Sequence, residues 1–155
     1  MRVLCINGSP RKKSNTAKIM AAFQEVAEEF GAKVKKATLG KLDYQGCVAC
    51  GACKRNAEEC VLKDDISPVL RKMARADIVV LGSPIYYGDL TSQMKAFVDR
   101  TYAFLTPDYK SRLNPGKTLV MILPQGDPEP AHFADVFPRY HEFFKWHGFA
   151  RGISI

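Results

Sequence analysis

The sequence predicts a three-layer α/β domain with a five-stranded parallel sheet in the order 2-1-3-4-5. Three observations carry that expectation. Short apolar runs alternate with segments of helical periodicity along the 155 residues. Strands that alternate with helices favour a parallel sheet covered on both faces and joined by right-handed crossovers. The pattern reads βαβαβαβαβ, and five strands suit that order, in which ligands bind beyond the carboxyl ends of the strands where strands one and three lie side by side.

The elements follow in order. "RVLCIN" is an apolar run that ends at Gly8, and a polar loop separates it from the first helix. There Ile19, Met20, Phe23, Val26, Ala27 and Phe30 recur at offsets of three and four, and Gly31 closes the helix. "AKVKKATL" is a strand at a sheet edge, where Lys33, Lys35 and Lys36 guard against edge-to-edge pairing. A cysteine-rich insertion, residues 43–63, follows, and then a second helix in "DISPVLRKMARA". Ile78 to Leu81 is the third strand, leading into "GSPIYYGD". "TSQMKAFVDRTYAFL" is the third helix, with Thr91 as N-cap and Met94, Phe97, Val98 and Phe104 on one side. "KTLVMILPQG" supplies the fourth strand, "HFADVFPRYHEFFKWHGF" a fourth helix kinked at Pro138, and "ARGISI" the last strand. With no helix after strand five, one sheet face is expected to be partly bare, covered by a neighbouring subunit unless the chain is a shortened form.

Length predicts one domain over 1–155. A chain of this size can remove about 70 % of its unfolded surface from water, so it needs no disulfide staples. The apolar run Val3–Ile6 is too short for a signal sequence, and no run approaches the roughly 20 apolar residues of a membrane span. The expectation is a cytoplasmic protein with reduced thiols. Twenty-three Lys and Arg against sixteen Asp and Glu give a net charge of +7. No basic helix or nucleic-acid motif accompanies it, so the charge reads as a solvated surface and not as a nucleic-acid site.

Three loops leave the strands at the ligand edge. "NGSPRKKSNT" runs into a helix N-terminus, where unpaired N–H groups and the helix dipole favour an anion. Ser9, Ser14, Asn15 and Thr16 add short hydrogen-bonding groups and Arg11 adds charge. The G-x-x-x-x-G-K-[ST] and G-x-G-x-x-G patterns are both missing, and a merely well-capped helix start is the plainer alternative. In "GSPIYYGD", Tyr86 and Tyr87 lie between Pro84 and Gly88, placed to stack on a flat ring, with buried core tyrosines as the plainer alternative. Gln125, Gly126 and Asp127 of "PQGDPEP" either line the same pocket or form a turn.

Together these motifs resemble the NAD(P)H-dependent FMN reductase family of the flavodoxin-like superfamily, over nearly the whole chain. "GSPRKKSNT" looks like its FMN phosphate loop and "SPIYYGDLTSQMKAFVDR" like its flavin-ring loop with the following helix. The resemblance implies a flavodoxin-like fold, with Ser9, Arg11, Ser14, Asn15 and Thr16 around the phosphate. It places Pro84, Ile85, Tyr86, Tyr87 and Gly88 along the isoalloxazine, with Gln125 and Gly126 closing the other side.

"CVACGACKRNAEEC" sets Cys47, Cys50, Cys53 and Cys60 at C-x2-C-x2-C-x6-C spacing on that same edge. Four thiolates suit either tetrahedral zinc or an iron-sulfur cluster. Structural zinc more often uses two well-separated C-x2-C pairs, whereas Ala49 and Gly51 allow the tight wrap of cluster ligation. The spacing is similar to that of the iron-sulfur flavoproteins, which carry a [4Fe-4S] cluster beside FMN. Reactive or structural thiols are the alternative. Cys5, within strand one, reads as a small buried apolar residue.

His132, His141 and His147 lie apart from the cysteine motif, and Asp64 and Asp65 read as a helix start. No nucleophile–base pair is evident, so no catalytic side chain is expected and a cofactor carries the chemistry. The resemblance implies an electron-transfer flavoprotein. A donor such as ferredoxin or NAD(P)H, a small acceptor and a homo-oligomeric assembly are expected. A cluster-free NAD(P)H-dependent FMN or quinone reductase and a non-catalytic flavin-binding module are the alternatives.

Overall fold

Strands β1 (Arg2–Asn7), β2 (Lys33–Thr38), β3 (Ile78–Gly82), β4 (Thr118–Ile122) and β5 (Arg151–Ser154) form one sheet in the order β2-β1-β3-β4-β5. All four pairings are parallel. The computed structural model describes residues 1–55 and 57–155. The central strands carry unbroken apolar sequence because both of their faces are buried. On one face Leu4, Ile6, Val79, Leu81, Leu119 and Met121 meet α3 (Ile66–Arg75), α4 (Ser92–Arg100) and α5 (Val136–Lys145). On the other, Val3, Cys5, Val80, Val120 and Ile122 meet α1 (Asn15–Glu29). The sheet beside β5 is open on the α1 side, where Ile153, the register partner of Val120, is half exposed. Among the described residues no helix is long and apolar enough to cross a membrane.

Three helices differ from the sequence pattern. In α1 the buried residues are Thr16, Met20 and Gln24, with Phe23 and Ala27 packed beside them, while Ile19, Val26 and Phe30 face solvent. The rotation follows from Gly82. A Cβ there would lie 2.3 Å from Met20 Sδ and 2.9 Å from Thr16 Cγ2, so the missing side chain draws that edge of α1 onto the sheet. The helix expected around Pro138 divides into a 3-10 turn, Pro130–Phe133, and α5. Pro138 is the third residue of α5, where an N–H has no acceptor within the helix, so it begins the helix without kinking it. The helix capped by Thr91 ends at Arg100 and continues as a 3-10 turn, Thr101–Phe104. A further single turn, α2 (Ala52–Arg55), lies within the cysteine segment.

Gly8, just beyond β1, likewise lies close against the start of α4: a Cβ would stand 2.8 Å from Met94 Cβ and 3.2 Å from Thr91 Oγ1. Gly8→Ala is therefore expected to destabilise the protein by about 1–3 kcal/mol, the usual range for overpacking, as measured by urea denaturation.

Candidate functional site

The loops after β1 and β3 are bound to each other before they reach solvent. The Gly8 N–H donates to the Gly82 carbonyl at 2.8 Å, and the Thr91 hydroxyl donates to the Gly8 carbonyl at 2.8 Å. The Thr91 N–H donates to the Ser83 hydroxyl at 3.0 Å, and Thr91 Oγ1 accepts from the Met94 N–H at 3.2 Å. Ser83 and Thr91 are buried, so these mutual bonds are what satisfies them. The loop after β4 joins through the Ile85 N–H, which donates to the Pro124 carbonyl at 3.0 Å.

The first loop folds around its own short side chains. Asn7 accepts the Ser9 N–H at 2.9 Å, and Ser14, extended at φ −128°, caps α1 by accepting the Ala17 N–H at 3.0 Å. The N–H groups of Asn15 and Thr16, in the first turn, have no partner within the helix. Thr16 Oγ1 is buried and has no hydrogen-bond partner among the described residues. These groups border a cavity of about 370 Å³. One wall is Ser9, Arg11, Lys13, Ser14, Asn15 and Thr16. Pro84, Ile85 and Tyr86 form a second and Pro124, Gln125 and Gly126 a third. One end thus offers hydroxyls, free N–H groups and two cations to an anion, and the rest is a slot with apolar and backbone walls. An orphaned buried hydroxyl is costly unless something completes it.

Ten of the twelve residues expected to hold the cofactor line this cavity; Tyr87 and Gly88 do not. Residues 86–89 form a tight reversal, with Tyr86 and Asp89 exchanging backbone bonds of 2.8 and 3.1 Å. Tyr87 and Gly88 occupy its two central positions at φ 50° and 75°, the pattern of a type I′ turn. A central turn residue points outward, and the Tyr87 ring is accordingly fully exposed. Gln125 turns its Nε2 back to the carbonyls of Asp127 and Glu129. Asp127 lies outside the lining and pairs with His132 at 2.8 Å. Lys13 and Pro124 join the lining without having stood out in the sequence, one as a residue of a lysine pair and the other as a strand end.

The four cysteines of the motif are free thiols, and all four line a second cavity of about 260 Å³ with Val48, Val61 and Leu62 in its walls. Cys47 and Cys50 are exposed, and Cys53 and Cys60 half-buried. Ala49 at φ 52° and Gly51 at φ 68° turn the chain sharply between successive cysteines. Among the described residues no three Cys, His, Asp or Glu side chains converge on one point as a single metal ion requires. Four thiols around one cavity are a donor set that an iron-sulfur cluster can use.

Cations bind this segment both to itself and to the domain. Arg55 donates to the Cys50 carbonyl at 2.7 Å and Arg112 to that of Cys53 at 3.0 Å. Lys54 donates to the carbonyls of Tyr102 and Leu105 and lies 3.8 Å over the Tyr102 ring. Burial holds the Lys54 ammonium below its ordinary pKa. Arg100, buried at the end of α4, pairs with Asp64 at 2.6 Å. Asp64 therefore does more than open a helix. Its burial favours the neutral acid, but the Arg100 hydrogen bonds and charge outweigh this and hold the carboxyl below the usual range.

The remaining titratable groups have packing roles. Burial pushes the Cys5 thiol up. His147 sits between the carbonyls of Phe143 and Thr101, and His141 stacks on Phe137. Tyr140 donates to Asp89 at 2.6 Å, tying α5 to the reversal after β3.

Residues 1–131 match the model of a family described as NADPH-dependent FMN reductase. An iron-sulfur flavoprotein of Methanosarcina thermophila is 39 % identical over 101 residues, covering 65 % of this chain and 52 % of the relative. One from Archaeoglobus fulgidus is 35 % identical over 130 residues, covering 83 % of this chain and 58 % of the relative. The chain spans little more than half the length of these relatives. The NAD(P)H:quinone oxidoreductase from Methanothermobacter marburgensis superposes with a TM-score of 0.81 over 100 % of this chain and 82 % of its own, at 16 % identity, a likeness of fold.

The Arg100–Asp64 pair has a pH signature. A depressed carboxyl pKa contributes stability that is complete above the unfolded value, about 4, and is lost as pH falls through the folded value. Asp64→Asn is expected to cost about 1–3 kcal/mol at neutral pH. The gap between variant and wild type should narrow in urea titrations as pH falls below about 4.

Proposed function

The chain belongs to the NADPH-dependent FMN reductase family, and on that premise we propose that it is a flavin-dependent oxidoreductase. In this reading it holds FMN in the 370 Å³ cavity and a [4Fe-4S] cluster in the cysteine cavity. The observation that carries the proposal is the unpartnered, buried Thr16 hydroxyl at the end of a cavity whose opposite walls are proline, isoleucine and tyrosine. A ligand with an anionic end and a flat, largely apolar ring system satisfies both.

Arg11 and Lys13 neutralise the phosphate, while Ser9, Ser14, Thr16 and the first N–H groups of α1 receive its oxygens. Pro84, Ile85 and Tyr86 shield one side of the ring from water, and the Ile85–Pro124 bond fixes the separation of the two loops that enclose it. When bound, FMN supplies the exchange between single electrons and hydride. The residues of this chain supply position and a dry, cationic surround. Cys47, Cys50, Cys53 and Cys60 would hold the cluster. Electrons come from NAD(P)H or an acidic protein donor such as a ferredoxin, whose docking the +7 net charge favours, and pass to a small acceptor. The exposure of Cys47 and Cys50 favours a second reading, a cluster-free reductase with the same FMN site.

Thr16→Val tests the FMN site by separating function from stability. The variant is expected to bind FMN about tenfold more weakly in a fluorescence titration, the loss of one hydrogen bond to a charged group. The ligand-free protein should be equally or more stable, because a buried unsatisfied hydroxyl has gone. Unchanged affinity removes the phosphate from this loop. Cys50→Ser is expected to lose iron while retaining FMN; iron retained in full contradicts the ligand set.

A further inference from the structure

The guanidinium of Arg100 is fully buried beneath the cysteine segment, and its five N–H groups can be assigned singly. Nη1 donates to the Gln45 carbonyl at 2.9 Å and to Asp64 Oδ2 at 2.6 Å. Nη2 donates to Asp64 Oδ1 at 3.1 Å and to the Leu62 carbonyl at 3.3 Å. The fifth, on Nε, donates to Cys60 Sγ at 3.1 Å. Four oxygen acceptors fix the plane of the group, and that plane aims Nε–H at the sulfur. Among the described residues Cys60 is the one cysteine of the motif whose sulfur accepts from a cation, since Arg55 and Arg112 reach the carbonyls of Cys50 and Cys53.

A thiol is a weak acceptor, whereas a thiolate makes the stronger, charge-assisted bond. An aimed and desolvated N–H is therefore best matched to Cys60 as a metal-bound thiolate. We propose that Arg100 is a positioning residue that orients Cys60 as a cluster ligand and raises the cluster's reduction potential through that sulfur. The inference rests on the cluster reading above. Reduction adds one electron to the cluster and its four sulfurs, with no bond broken. A hydrogen bond to a ligand sulfur stabilises the more negative, reduced form, and hydrogen bonding to sulfur is one of the factors that set such potentials. The low dielectric around the buried guanidinium enlarges the effect. Asp64 opposes it, because its carboxylate offsets the guanidinium charge.

The test is a mediated titration of the iron-loaded protein with dithionite under argon, followed by electron paramagnetic resonance of the reduced cluster, with iron assayed in each sample. Arg100→Lys keeps a cation for Asp64 but lacks the Nε donor. Its reduced-to-oxidised ratio at a fixed potential is expected to fall about tenfold, a midpoint lower by about 59 mV for a one-electron couple. Asp64→Asn leaves the Gln45 and Leu62 carbonyls to hold the guanidinium and removes the offsetting charge, so its midpoint is expected to rise. Iron-free wild type overturns the cluster reading itself. Iron-loaded Arg100→Lys with the wild-type midpoint overturns the role of Arg100, as does a shift of both variants in one direction, the result of a merely loosened cavity. Should Arg100→Lys fail to fold, an unchanged or lowered midpoint in Asp64→Asn overturns it equally.

Discussion

The site depends on the contact between Gly8 and Gly82, two residues without side chains joined by one 2.8 Å backbone hydrogen bond at the ends of β1 and β3. The missing Cβ of Gly82 admits Thr16 and Met20 of α1 from one face of the sheet, and that of Gly8 admits Met94 and the N-cap Thr91 of α4 from the other. Two helix N-termini are thereby brought to the same edge from opposite sides. One of them presents its free N–H groups to the cavity, and the other anchors the loop that walls it. The buried Ser83 and Thr91 hydroxyls complete this junction, so the polar groups that position the site are satisfied by one another and the cavity side is left to a ligand.

The cysteine segment is held by different means. It has few buried apolar side chains of its own, and its backbone carbonyls are bound by Arg55, Arg100 and Arg112 from neighbouring turns. Three guanidinium groups around four thiols suit a ligand set that becomes anionic once it is metal-bound, because cations near a thiolate stabilise the charged form. Arg100 and Arg112 span the boundary between segment and domain. Arg100 closes α4, the helix whose opposite end is fixed at Gly8, so the two cavities share one rigid element.

Much of this was legible in the sequence for identifiable reasons. Continuous apolar runs marked the buried strands, and their alternation with helices gave the sheet order. Short polar residues before α1 marked a loop that the structure does gather around one cavity. What escaped was whatever depends on shape in three dimensions. The rotation of α1 is set by Gly82, sixty-two positions beyond Met20, and periodicity alone favoured the wrong edge of the helix with Ile19, Val26 and Phe30. Tyr87 read as a ring-stacking residue, and the structure sets it fully exposed at the centre of a turn outside the cavity lining, a placement that rests on the sign of φ. Nothing in the sequence set Arg100 apart, since its partners Gln45, Cys60, Leu62 and Asp64 all come from the segment preceding α3, brought to it only by the fold.

The central claim is that one chain presents a flavin site and a cluster site at the same edge of its sheet. Purification without oxygen, followed by an absorption spectrum and assays of FMN, iron and acid-labile sulfide, tests it most directly. The account predicts flavin bands with a broad underlying shoulder, one FMN, and about four iron and four sulfide per chain. A protein that carries neither flavin nor iron, and takes up none when FMN, iron and sulfide are supplied, contradicts it.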